Sequence, residues 1–285
     1  MAQHRLIRDA LGALPILSLL AAVYLLPPDT SLSEVRHAGA LHVCMPPAAP
    51  PFVTGDGDAP GIDVEILQAL SRDLGLTLAG VPEPAMGQDF NPRAWHVTRA
   101  ACEVLAGGLV ASPMTRSFLE TSAPYAQTGW ALLAPQPPPS PSPASGGGLG
   151  WGLHGRKLGV FTPPSGLDRI ALASHLRAAQ AQVTILSSAD ALLAGLREGR
   201  FEAGVTEKLL ADQIAARERW GADWLPGDLP RYPVAFGLWK GDLTLKRALT
   251  GGLDRLQRDG TVAAILARYV GRAASTALSR DTTQL

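Results

Sequence analysis

Cys102-Glu103-Val104-Leu105-Ala106-Gly107-Gly108-Leu109-Val110-Ala111-Ser112-Pro113-Met114-Thr115-Arg116, followed by Glu120-Thr121-Ser122-Ala123-Pro124-Tyr125, is the stretch that decides the fold. An apolar strand runs into two glycines. Ser112-Pro113 then reads as the start of a helix, with Arg116 one turn in. Glycines at a strand end let backbone approach a ligand, and a helix N-terminus offers free N–H groups to an anion. An arginine there can grip a carboxylate through two parallel hydrogen bonds. The combination points to a small anionic solute.

Working outward, Leu41 to Met45 is a short apolar run bounded by prolines and predicts a buried strand. Ile62, Ile66, Leu67, Leu70 and Leu74 recur at helical spacing, and Gly75 is the stop. Leu76 to Val81 and Gly129 to Ala134 predict further strands. Strand, helix, strand alternation argues for a parallel sheet with covering helices. Residues 133–150 then turn to Pro-Pro-Pro-Ser-Pro-Ser-Pro and Gly-Gly-Gly, a linker composition. A second strand-helix-strand unit follows, with strands at Lys157–Phe161, Val183–Leu186 and Ala203–Val205, and a helix within Ser165–Ala181. A second helix, carrying Leu192, Leu193 and Leu196, stops at Gly199. Tyr232 to Leu238 is apolar again and returns the chain to the first unit. Leu245, Leu249, Leu253 and Leu256 form one helix stripe, and Val262, Ile265, Leu266 and Tyr269 another. The predicted fold is α/β in two lobes: 36–132 with 234–272, and 151–231. Residues 273–285 form a tail. Two chain crossings make a hinge, and the cleft lies at the C-terminal ends of the strands.

The 285 residues suffice for two separate cores. A formal net charge of zero argues against nucleic acid as a partner. Residues 1–35 carry Arg5 and Arg8 ahead of an apolar run from Leu11 to Leu26, which reads as a secretory signal; an uncleaved N-terminal anchor is the alternative. Export places the protein in the periplasm. No second cysteine pair or histidine cluster makes a metal site, and no cofactor is implied. Cys44 and Cys102 fall on adjacent predicted strands, staggered by about 10 Å at ~3.3 Å per residue. A disulfide needs its Cα atoms within about 7 Å, so two free buried thiols are expected.

The ordered set of segments resembles the extracytoplasmic solute-binding proteins of family 3, the amino-acid ABC transporter type. Leu41-His42-Val43-Cys44-Met45 with Pro50-Pro51-Phe52 is similar to that family's first strand and ligand loop. Gly61-Ile62-Asp63-Val64-Glu65 resembles the start of its first helix. Arg200 to Glu207 resembles the second-lobe strand that ends in an acid, and Asp259-Gly260-Thr261 with Tyr269 the C-terminal helix pair. The resemblance implies the two-lobe periplasmic-binding-protein fold of type II, a monomer, and no catalysis. It implies capture of a small solute for a membrane permease.

It also implies roles for residues. Arg116 would hold the solute carboxylate, although it stands one residue late, with Thr115 where the family places arginine. Ser112 would cap the helix and donate to the solute. Phe52 would stack on it, or pack in the core, and Gly107 and Gly108 would offer backbone groups, or form an ordinary turn. Apart from the resemblance, Thr162, Ser165 and Gly166 precede a second-lobe helix, and the segment would either hold an anion with its N–H groups or form a simple helix cap. Glu207 would meet an ammonium. Asp63 reads as a helix cap. Val43-Cys44 and Cys102-Glu103-Val104 are also similar to the branch associated with quinoprotein dehydrogenases, for which the partner would be a periplasmic dehydrogenase. A dehydratase runs on the same fold and would use Glu207 as a general acid, but no His/Ser/Asp set or carboxylate pair supports it.

Overall fold

The computed structural model describes residues 18, 28–88, 91–135, 152–225 and 227–275. The expected signal or anchor, the Pro/Gly-rich stretch at 136–151 and the tail beyond 275 lie outside them. No helix among the described residues is long and apolar enough to cross a membrane.

The chain opens with α1 (Ser31–Ala38) and β1 (Ala40–Met45). It continues through α2 (Ile62–Asp73) and β2 (Thr77–Pro82) to β3 (Val104–Leu105), α3 (Pro113–Phe118) and β4 (Glu120–Thr121). β5 (Ala126–Thr128) and β6 (Trp130–Ala134) follow. The second unit holds β7 (Lys157–Phe161), α4 (Arg169–Ala178), β8 (Gln182–Leu186), α5 (Ala189–Arg197), β9 (Ala203–Glu207), α6 (Lys208–Glu218) and β10 (Gly221–Trp224). β11 (Tyr232–Val234), β12 (Gly237–Leu238), α7 (Leu243–Arg258) and α8 (Thr261–Val270) complete it.

Two five-stranded sheets result, in the orders β2-β1-β3-β12-β4 and β10-β6-β9-β7-β8. Both are mixed. β1 runs parallel to β2 and β3, and β7 parallel to β8 and β9, while β12, β6 and β10 pair antiparallel. The first-lobe bound expected at residue 132 falls within β6, a strand of the second sheet. In the first lobe Ile62, Ile66, Leu67 and Leu70 of α2 pack with Leu245, Leu249 and Leu253 of α7 and Ile265 and Leu266 of α8. Burial of one apolar stripe per helix holds these layers together. The second sheet is covered on both faces, by Leu172 and Leu176 of α4 on one and by Leu192, Leu196 and Ile214 of α5 and α6 on the other.

The apolar run Tyr232–Leu238 is not one strand. Val234 pairs with Ala126 in a two-stranded ribbon, β5 with β11. The Ala235 N–H then donates to Leu109 and the Phe236 N–H to the Ser122 hydroxyl, which carries the chain into the first sheet as β12. The ribbon contains both crossings between the lobes.

Cys44 and Cys102 are joined in a disulfide with Cα atoms 5.6 Å apart, correcting the expectation of free thiols. Cys102 is not part of a strand. Strand geometry begins only at Val104, and the chain turns before it, with the Cys102 N–H bonded to Thr98. That turn folds Cys102 back toward β1.

Candidate functional site

The lobes meet around a small cavity. Its first-lobe lining includes Pro46, Met86, Trp95, Gly107, Gly108 and Thr115; Pro164, Ser165 and Gly166 line it from the second lobe. Its volume is about 20 Å³, room for one or two waters. Among the described residues, the lining carries no charged side chain, and its side-chain hydroxyls are those of Thr115 and Ser165.

Beneath the glycine turn lies Asp63, fully buried in α2. Its Oδ2 accepts the Gly107 N–H at 2.7 Å and the Gly108 N–H at 2.9 Å, and its Oδ1 accepts the Tyr125 hydroxyl. Burial pushes the Asp63 carboxyl up, against the pull of these three donors. Asp63 therefore does not cap its own helix; it pins the turn. The two glycines are required on the other side as well. Gly107 has φ +116° and Gly108 φ +75°, and a Cβ would lie 2.5 Å from Pro46 and 2.4 Å from the Phe52 ring respectively.

Gly107, Gly108, Ser165 and Gly166 are thus brought together, but in ways the sequence did not show. The glycine N–H groups are spent on Asp63. Phe52 is 5% exposed and packs in the first-lobe core under Gly108. Ser112 is the α3 cap, its Oγ accepting the Thr115 N–H at 3.2 Å. Arg116 is exposed, whereas Thr115 beside it is buried and lines the cavity. Thr162 lines a different groove, on the outer face of the second lobe.

The anion site expected at 162–166 does not sit at a helix end. α4 starts later, at Arg169, and the Asp168 carboxylate already accepts the Ile170 and Ala171 N–H groups at 2.9 and 2.8 Å. A negative charge occupies the helix end that an anion would need.

Glu207 is equally engaged. It is 1% exposed and caps α6, accepting the Leu209 N–H at 3.0 Å and the Leu210 N–H at 2.8 Å, and it also accepts the Thr128 hydroxyl. Burial raises its carboxyl above the usual range. Thr128 belongs to the ribbon strand β5, so Glu207 ties the hinge to the second lobe.

Met86 and Trp95 were not anticipated. Both come from the long connection between β2 and β3 and are 6% and 3% exposed. A connection of that length is a signal of function in itself, and a lone tryptophan within it is the residue to have chosen. No group of acidic, cysteine or histidine side chains among the described residues is arranged to hold a metal.

Residues 41–272 match the model of the bacterial extracellular solute-binding proteins, family 3. Solved structures share the architecture. An ancestral cationic amino acid solute-binding protein, AncCDT-1, is 19% identical with a TM-score of 0.67, over 84% of this chain and 99% of that one. The L-cystine solute receptor of Neisseria gonorrhoeae, solved unliganded and open, is 18% identical with a TM-score of 0.61, over 86% and 98%. An amino acid ABC transporter substrate-binding protein from Streptococcus pneumoniae, bound to L-arginine, is 18% identical with a TM-score of 0.60, over 84% and 97%. No curated protein matches by sequence. At these identities the structures establish the fold, and the family model, spanning most of the sequence, establishes the kinship: this chain belongs to the bacterial extracellular solute-binding proteins of family 3.

Proposed function

We propose that the protein captures a small, amino-acid-like solute between its two lobes in the periplasm and presents it to an ABC-type permease. The observation that carries this reading is the cavity between the lobes, lined from the first by the Gly107-Gly108 turn and Trp95 and from the second by Ser165 and Gly166. Such a site closes by hinge motion when a ligand contacts both walls. Trp95, Met86 and Pro46 favour a solute with an apolar or aromatic body. A carboxylate on it would be met by Arg116, one residue from the lining Thr115.

A second reading has its own observation. Glu207 and the glycine N–H groups, which would hold an amino acid's charges, are all engaged internally. On this reading the chain is an accessory protein that binds a periplasmic dehydrogenase.

A thermal-shift screen against amino acids, dicarboxylates and polyamines separates the two, because a ligand that binds only the native state raises Tm. A hit that Arg116→Ala removes supports carboxylate capture. A hit that survives it keeps solute capture and rejects the role of Arg116. Silence, with a dehydrogenase recovered from a periplasmic extract, favours the accessory reading.

A further inference from the structure

Among the described residues β8 is the open edge of the second sheet, paired with β7 alone. It is exposed along most of its length, with Ile185 70% and Val183 39% exposed. The Gln182 N–H turns inward to Arg156. Alternation along a parallel strand then sends the N–H and C=O groups of Val183 and Ile185 outward, into the row that a further strand would bind.

Beside this edge runs a groove of about 440 Å³ between β8 and α4, floored by Val160, Leu172 and Leu176. Arg169, whose guanidinium also donates to the Pro163 carbonyl, and Arg177 line it from the two ends of α4, and none of its described lining residues is acidic. Eight residues of helix separate the arginines by about 12 Å. That matches the ~14 Å between the first and fifth residues of an extended peptide.

We propose that this face is a docking site for an acidic extended segment of a partner protein, which adds a strand to β8. Its backbone pairs with Val183 and Ile185. Its apolar groove-side residue lies over Leu172 and Leu176, and its flanking carboxylates meet Arg169 and Arg177. A second copy of the chain fits worse. Antiparallel pairing of two β8 edges would bring the Arg169 and Arg177 pair of each copy toward that of the other, and like charges across an interface repel.

The test uses the full chain and a fluorescent peptide, acetyl-Glu-Thr-Val-Thr-Glu-amide, read by anisotropy. Saturable binding is expected, about tenfold weaker when both Glu are replaced by Lys, as two weak ion pairs would give. Ile185→Pro removes an outward N–H without touching the β7 ladder, and edge strands accept proline. It is expected to abolish binding with circular dichroism and Tm unchanged. Arg169→Glu/Arg177→Glu should reverse the preference between the two peptides. Equal affinity for both peptides, or binding that survives Ile185→Pro, overturns the proposal. So does a concentration-dependent dimer that Ile185→Pro dissociates, which would assign the face to a second copy. Binding seen only after residues 136–151 are exchanged for Gly and Ser would assign it to the chain's own linker, and also overturns it.

Discussion

Asp63 holds three donors from two distant segments, and their number sets the cost of losing it. Asp63→Ala would leave the Gly107 and Gly108 N–H groups and the Tyr125 hydroxyl buried without an acceptor. Each such orphan costs about 1–3 kcal/mol, so a loss of about 3–5 kcal/mol is expected in urea unfolding. Tyr125→Phe removes one donor and keeps the ring stacked on Phe236, so about 1–2 kcal/mol is expected. The double variant should cost less than the sum, because the groups share one network. Additive losses would mean that Tyr125 and Asp63 do not act together. Asp212 makes a pH prediction. Burial lifts its carboxyl to about 6, against the pull of the Lys208 ammonium 2.5 Å away. A carboxyl whose folded value is raised contributes stability that is full below its unfolded value, 3.8, and is lost as pH rises through about 6. The loss approaches about 3 kcal/mol. Asp212→Asn should flatten that fall between pH 4 and about 7; an unchanged slope would place the titration elsewhere. At this scale the Ser112 cap was legible, because Ser-Pro carries its own geometry. The engagements of Asp63 and Glu207 were not. Asp63 finds its donors 44 and 45 residues away, and a resemblance cannot tell that Glu207 spends both oxygens on its own helix.

The Cys44–Cys102 disulfide closes a loop of 58 residues that contains α2, β2 and the segment bearing Met86 and Trp95. Closing a loop of that length is worth about 4 kcal/mol through the unfolded chain. Cys44→Ala/Cys102→Ala should therefore lower Tm by about 10 °C. It should also loosen the Trp95 wall of the cleft, measured as a fluorescence change at unchanged secondary structure. An unchanged Tm would mean that the unfolded chain already holds this loop together. The helices α2, α7 and α8 were readable because each has an apolar stripe repeated over several turns. β3 was readable as the apolar run ahead of Gly107, whereas β4 and β12 are two residues long, and only their pairing with distant partners defines them. The split between β11 and β12 was hidden for the same reason. A continuous apolar run says that a segment is buried, not that it keeps one neighbour.

At the scale of the whole molecule, the lobes are connected by the β5–β11 ribbon, and the cleft wall is tied to it. Ala235 donates to Leu109, and the Ala111 N–H donates to Pro233, so the glycine turn of the first lobe is coupled to the hinge. The cavity lined by the glycine turn and by Ser165 and Gly166 holds about 20 Å³, so a solute larger than a couple of waters reaches it by way of a parted form, and contacts to both walls then draw the lobes together. Ser165→Glu tests that coupling. It places a carboxylate against the apolar Trp95, Met86 and Pro46, deeper than the exposed Arg116 and among described lining residues that carry no charge. Burying such a charge costs several kcal/mol, so the variant is expected to rest with its lobes apart. Small-angle scattering should then give a larger radius of gyration, while circular dichroism stays that of the parent, because neither core contains Ser165. Any solute found for the parent should bind at least about tenfold more weakly, since closing the lobes on it now carries that desolvation cost. A variant that matches the parent in radius of gyration and in solute affinity would show that capture does not take place between these two walls.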